Sequence, residues 1–203
     1  DEAHFRRGEM LFAMRDYKGA EAAYATVLDA DHRTPFTERA LYMQGWSLFK
    51  QGRVEEALKP FFAVFDLKLG GLGPLQREEA NLEDVRSLSR ADRELLDDTF
   101  RVVSISLASL QGAESIPRLV DSPEFSKTRE GYQFRVYQQL AELYIRQERV
   151  KDAADTLSAF VRRAPLHAQA PLMQARVIDI YAAAGFDTLA LAAKKDHVVR
   201  YGV

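Results

Sequence analysis

Shifted by 37 residues, the start of the chain lies on the stretch that follows it. Gly8, Leu11, Asp16, Tyr17, Ala20 and Tyr24 return as Gly45, Leu48, Arg53, Val54, Ala57 and Phe61, each 37 residues on. Near the other end, Ala141, Tyr144, Val150, Ala153 and Leu157 return as Ile178, Tyr181, Asp187, Ala190 and Lys194 after the same 37 residues. A period of this length restricts the fold more than any other feature, because one period is too short to bury its own apolar face and must stack on its neighbours. The stretches inside each period are rich in Ala, Leu, Glu, Gln and Arg, which favour helix, while Gly and Pro collect between them. No hairpin signal appears. The alanines at Ala20, Ala57, Ala153 and Ala190 keep one register, as expected where two antiparallel helices cross so closely that only a small side chain fits.

These residues resemble the tetratricopeptide repeat, a helix pair of about 34 residues. Its pattern has a small residue at position eight, a large apolar one at eleven, Ala at twenty and an aromatic at twenty-four, with Asp1 falling on position one. The resemblance implies an all-α chain folded as a right-handed α-solenoid of antiparallel helix pairs, about five in number with one degraded. Residues 1–69 and 131–203 each hold two repeats. Between them lie an insertion with a short helix over 70–92 and a degraded pair over 93–130, whose long helix is expected from about Arg93 to Gln111. The last copy departs from the pattern at Ile178 and Lys194. The three additional residues per unit are expected in the connections Asp31–Phe36 and Ala164–Ala168. Thr34 is the expected N-cap there, with Pro35 at the first helical position, and Ser122 is expected to cap another helix. Val203 falls at position thirty-three of the last copy, which reads as a segment of a longer array.

Charge excludes one class of partner. The 28 basic and 30 acidic residues are interspersed, giving a net charge of −2, so no basic stripe is present to follow a phosphate backbone and nucleic acid is not an expected partner. The apolar run Leu58–Leu69 is interrupted by Lys59, Pro60 and Asp66, so no membrane span is expected. His4, His32, His167 and His197 lack metal-ligand spacing, and there is no cysteine; no cofactor is expected. Leu69–Pro74 is glycine-rich, but no Lys-Ser or Lys-Thr follows it, and Pro74 lacks the amide that a phosphate cradle would use. Gly45-Trp46-Ser47-Leu48-Phe49 fails as a nucleophile elbow at its last position. The reading is a protein that is not an enzyme.

The resemblance also places positions two, five, nine, twelve and thirteen of each first helix on a concave groove that holds a protein or peptide. Those positions are Phe5, Glu9 and Phe12 in the first unit, and Arg39, Tyr42, Trp46, Phe49 and Lys50 in the second. In the third clear copy they are Arg135, Gln138, Glu142, Ile145 and Arg146. Aromatic anchors dominate interface energies, which points to Trp46; the competing assignment puts Trp46 and Phe49 in the joint between adjacent repeats. The Lys and Asn clamp that tetratricopeptide co-chaperones use for a C-terminal carboxylate is not matched, since Phe5, Glu9 and Met43 stand at three of its positions. The lengthened units, with phrases such as Ala40-Leu41-Tyr42-Met43-Gln44-Gly45-Trp46, resemble bacterial envelope members of the superfamily, among them the lipoprotein of the outer-membrane barrel assembly machinery. The expectation is a periplasmic or outer-membrane-associated scaffold. The alternatives are a cytoplasmic adaptor or the non-catalytic repeats of a larger enzyme, and an open array end also allows self-association.

Overall fold

The computed structural model describes residues 1–29, 33–73, 82 and 85–202. Among them every regular element is helical. The helices are α1 (Glu2–Ala13), α2 (Tyr17–Leu28), α3 (Thr37–Lys50), α4 (Val54–Leu69), α5 (Arg90–Ser109), α6 (Ile116–Val120), α7 (Ser126–Glu130), α8 (Gln133–Arg146), α9 (Val150–Arg163), α10 (Ala170–Ala183) and α11 (Asp187–Tyr201). A 3₁₀ turn, Gly112–Ser115, leads into α6. Consecutive long helices pack against one another, which makes a solenoid of five pairs: α1/α2, α3/α4, α5 with the 3₁₀ turn and α6, α8/α9 and α10/α11.

One backbone feature marks all five pairs alike. The turn between the two members of each pair holds a residue in the left-handed region: Arg15 (φ 64°), Gly52 (φ 77°), Gly112 (φ 58°), Glu148 (φ 58°) and Gly185 (φ 75°). Glycine reaches that region without penalty, whereas Arg15 and Glu148 carry a Cβ into it. In four turns the residue after it, Asp16, Arg53, Arg149 or Phe186, caps the next helix, and the Asp16 carboxylate accepts a hydrogen bond from the Gly19 N–H at 2.9 Å. The degraded unit keeps this turn even though its second helix has shrunk.

The helix crossings explain the repeating small residues. Ala20, Ala57 and Ala153 have no exposed surface and Ala190 has 5%. At the other small position, a Cβ on Gly8 would lie 2.5 Å from the Tyr24 ring, and one on Gly45 would lie 2.6 Å from the Phe61 ring. The residue at position eight is therefore small because the aromatic at twenty-four of the same unit lies flat against its backbone. In the fourth unit the pair is Ala141 and Leu157, both buried, a larger residue facing a smaller one. Of the expected core, Tyr24, Leu48 and Phe61 are buried, while Leu11 and Tyr17 are half-buried at the open edge of the first unit.

A small cluster (Phe5, Ala20, Tyr24, Val27 and Ala40) fills the first joint, and a single larger core runs from Leu48 to Ala193. Its centre is the degraded unit. The capping box of Ser89 and Asp92 starts α5 three residues before the expected Arg93, and the shortness of α6 brings α8 directly against α5. Phe65 stacks on Phe100 with ring centroids 4.2 Å apart. Arg129 reaches the Asp66 carboxylate at 2.9 Å and the Leu119 carbonyl at 2.6 Å, and the Tyr132 hydroxyl donates to Asp66 at 2.6 Å. The guanidinium also covers the Phe125 ring at 4.5 Å. This buried network joins α4, α7 and α8 where a full-length second helix is missing.

Two caps differ from expectation. Thr34 starts a turn: its hydroxyl accepts from the Phe36 N–H at 3.1 Å, and α3 begins only at Thr37. The chain after Ser122 makes a turn, the Phe125 N–H donating to the Ser122 carbonyl at 3.0 Å, before α7 starts at Ser126. The short helix expected in 70–92 falls largely on residues 74–81, 83 and 84, outside the described residues. Of its apolar face, Leu82, Val85 and Leu88 belong to the main core.

On the second helices of units two and four, the positions that meet the following unit hold Leu58 and Phe65, then Ala154 and Val161, all buried. On α11 the matching Leu191 and Val198 are 54% and 64% exposed. On α1 and its C-cap, His4, Arg7, Met10 and Met14 are exposed.

Candidate functional site

The first helices α1, α3, α5, α8 and α10 lie side by side, and polar bridges run across the row. Arg39 meets Glu9 at 3.2 Å, the Tyr42 hydroxyl donates to Asp98, and Arg176 meets Glu142 at 3.1 Å. These bridges use side chains that the pattern assigns to ligand binding. Arg39, Glu9, Tyr42 and Glu142 tie neighbouring units together and, with their partners, form the polar floor of the face.

Two of the expected groove residues do not reach the face. Phe5 has no exposed surface: its ring lies 5.8 Å from Tyr24 and 5.2 Å from Phe36, beneath the Arg39 guanidinium. It is a core residue of the first joint, packed in one cluster with Ala20, Val27 and Ala40. Arg135 is 2% exposed, its guanidinium 4.4 Å from the Phe134 ring. The direct packing of α8 on α5 turns that position inward. Gln138 is half-buried, Ile145 packs against the main core while remaining half-buried, and Arg146 is exposed. Phe12 is half-buried, edge-on to Tyr17 at 5.2 Å.

The aromatic part of the face is on α3. Trp46 and Phe49 are half-buried, with rings 5.5 Å apart at a near-perpendicular angle. Trp46 also meets Tyr42 at 6.3 Å and Phe61 at 6.2 Å. Trp46 is thus packed against the core of the joint while still in part open to solvent. The exposed Lys50 ammonium stands 5.8 Å over the indole. Burial and the hydrogen bond to Asp98 push the Tyr42 pKa up to about 12. Burial works against the charge on Asp98, but hydrogen bonds from Tyr42 and Arg101 outweigh it and hold the carboxyl below the usual carboxylate range.

The α5 side of this face escaped the repeat pattern. The Tyr42–Asp98 bond puts the middle of α3 beside the middle of α5, and Gly52 and Arg53 line one cleft with Ser109 and Leu110. The two helices thus run alongside with a spacing near one to one. Arg101 pairs with Asp98, and Ile105, two turns beyond Asp98 on α5 and 39% exposed, stands level with Phe49 and Lys50 at that spacing. The signal in the sequence was the outward stripe Asp98, Arg101 and Ile105 at helical spacing, masked because the unit has lost its other repeat positions.

No group of histidine and acidic side chains suited to a metal occurs among the described residues. His167 stacks between Phe134 at 5.2 Å and Phe160 at 5.3 Å. No helix among the described residues is long and apolar enough to cross a membrane.

The family model described as tetratricopeptide repeat matches residues 2–66, the first two pairs. Residues 2–66 carry tetratricopeptide repeats. No curated protein matches the chain significantly. In solenoids of this kind the stacked repeats form an extended concave surface. Tetratricopeptide repeats are generally protein-interaction modules, and the fold is typically a non-catalytic scaffold.

Proposed function

We propose that this tetratricopeptide array is a scaffold without catalytic activity that holds a protein or peptide segment against its concave wall at Trp46 and Phe49. The observation that carries this reading is the half-buried aromatic pair on the row of first helices. Most other polar side chains there are engaged with neighbouring units, but one side of Trp46 and Phe49 is left to solvent. Large, rigid aromatics that are already partly desolvated and fixed by packing bind at little entropic cost, which is where interface energy concentrates. The seat in a bacterial cell envelope, at the periplasm or outer membrane, rests on the likeness of the lengthened units to envelope members of the superfamily.

The test is affinity capture from the native organism with the unaltered chain and with Trp46→Ala, Phe49→Ala. Loss of the captured partner, corresponding to about 2 kcal/mol or more, supports the reading. Equal recovery by both refutes it. Far-UV circular dichroism of the variant separates loss of binding from loss of fold, since the indole also touches Phe61.

A further inference from the structure

The aromatic pair does not stand alone. Trp46 and Phe49 on α3 are half-buried, Ile105, 39% exposed, stands level with them on α5, and the charges at this margin are unequal. Asp98 is engaged by Tyr42 and by Arg101. Lys50 makes no ion pair among the described residues; it rests over the indole. The shelf therefore sets an ammonium without a carboxylate partner among the described residues beside an apolar surface, while the Asp98 carboxylate is already engaged.

From this we infer that the segment held by the concave wall is acidic: it places a large apolar or aromatic side chain on Trp46, Phe49 and Ile105 and sets a carboxylate against Lys50, with Arg101 left on Asp98. This rests on the concave-wall reading and adds the partner's chemistry. A basic segment would bring its cations against Lys50 at the edge of a low-dielectric surface, where like charges repel strongly. A purely apolar segment would displace water from the Lys50 ammonium without replacing it. An acidic one satisfies the ammonium and leaves the Asp98 bridge intact. The geometry also gives Ile105 and Arg101 a role that the repeat positions did not assign.

The experiment is selection of a random twelve-residue peptide library displayed on phage against the whole chain, followed by binding of the enriched peptides to variants. Lys50→Glu lies on the exposed surface and leaves the core untouched, so its fold is checked simply by its melting curve. The expected result is enrichment of peptides with Asp or Glu beside Leu, Phe, Tyr or Trp. Their affinity should fall about ten-fold or more in Lys50→Glu, fall also in Ile105→Ala, and weaken as salt is raised. Enriched peptides that are basic or uncharged but still lost in Trp46→Ala would overturn the acidic assignment while leaving the concave-wall reading in place. Enriched peptides that bind Trp46→Ala, Phe49→Ala as well as the parent would overturn both. An acidic set indifferent to Lys50→Glu would also overturn the inference, by placing the carboxylate elsewhere.

Discussion

Gly45 offers a direct measurement of how tightly a helix pair closes. In isolation, Gly45→Ala should stabilise α3 by about 1 kcal/mol through helix propensity. In this fold the new Cβ would lie 2.6 Å, 2.7 Å and 2.8 Å from three atoms of the Phe61 ring. Ordinary contact begins near 3.4 Å, so the ring would have to withdraw by about 0.8 Å. It has nowhere to go, being fully buried with Trp46 and Tyr42 against it. Overpacking costs about 1–3 kcal/mol, and against a fully buried ring at 2.6 Å it falls in the upper part of that range, about 2–3 kcal/mol, so that after the propensity gain the net expectation is a loss of about 1–2 kcal/mol. Phe61→Leu alone empties part of a sealed site and costs about 1–2 kcal/mol. The double variant recreates the pair found in the fourth unit as Ala141 and Leu157, so its loss should fall short of the sum by about 1 kcal/mol or more. The assay is urea unfolding of all four proteins followed by far-UV circular dichroism. If Gly45→Ala proves as stable as the parent or more so, or if the two changes add within about 0.5 kcal/mol, the close contact of position eight with the aromatic of the same unit is wrong.

Three further outcomes are expected. Glu148→Gly relieves a left-handed residue at φ 58° and should raise stability by about 1 kcal/mol, read as a higher urea midpoint, whereas Glu148→Ala should not. Asp66→Ala leaves Arg129 charged in a pocket where the pair's side chains are 10% and 11% exposed; the unfolding midpoint should drop by the equivalent of about 3–5 kcal/mol, with much of the loss recovered in Asp66→Leu, Arg129→Met. Tyr42 has a folded pKa of about 12, above the value near 10 of an unfolded tyrosine. Its contribution is whole below pH about 10 and is lost as the pH rises towards about 12. Tyr42→Phe should therefore lose stability at neutral pH, with the gap to the parent narrowing over that alkaline range.

The fold was legible where the pattern reports a physical necessity. Gly8, Gly45 and the four alanines mark places where backbones approach too closely for larger side chains, and such places cannot drift without the pair opening. The degraded unit was legible only as a long helix followed by a short one, because its packing depends on α8 moving in, on Phe65 meeting Phe100, and on the Asp66–Arg129 pair, whose members are 63 residues apart in the chain. Periodicity is blind to such distant partners. The same blindness governed the face of the first helices. Position numbers carried over from the repeat placed Trp46, Phe49 and Lys50 where solvent reaches them. They misjudged Phe5, which closes against Tyr24 and Phe36, and Arg135, which follows the shortened unit. They gave no hint of Ile105 and Arg101, since a unit that has lost its register has no position numbers to carry over.

Leu191 and Val198 occupy on α11 the places that Ala154 and Val161 fill on α9, yet they remain largely exposed. A helix laid against α11 would cover side chains already poor at holding water, so that surface is suited to receive another apolar face of the same kind.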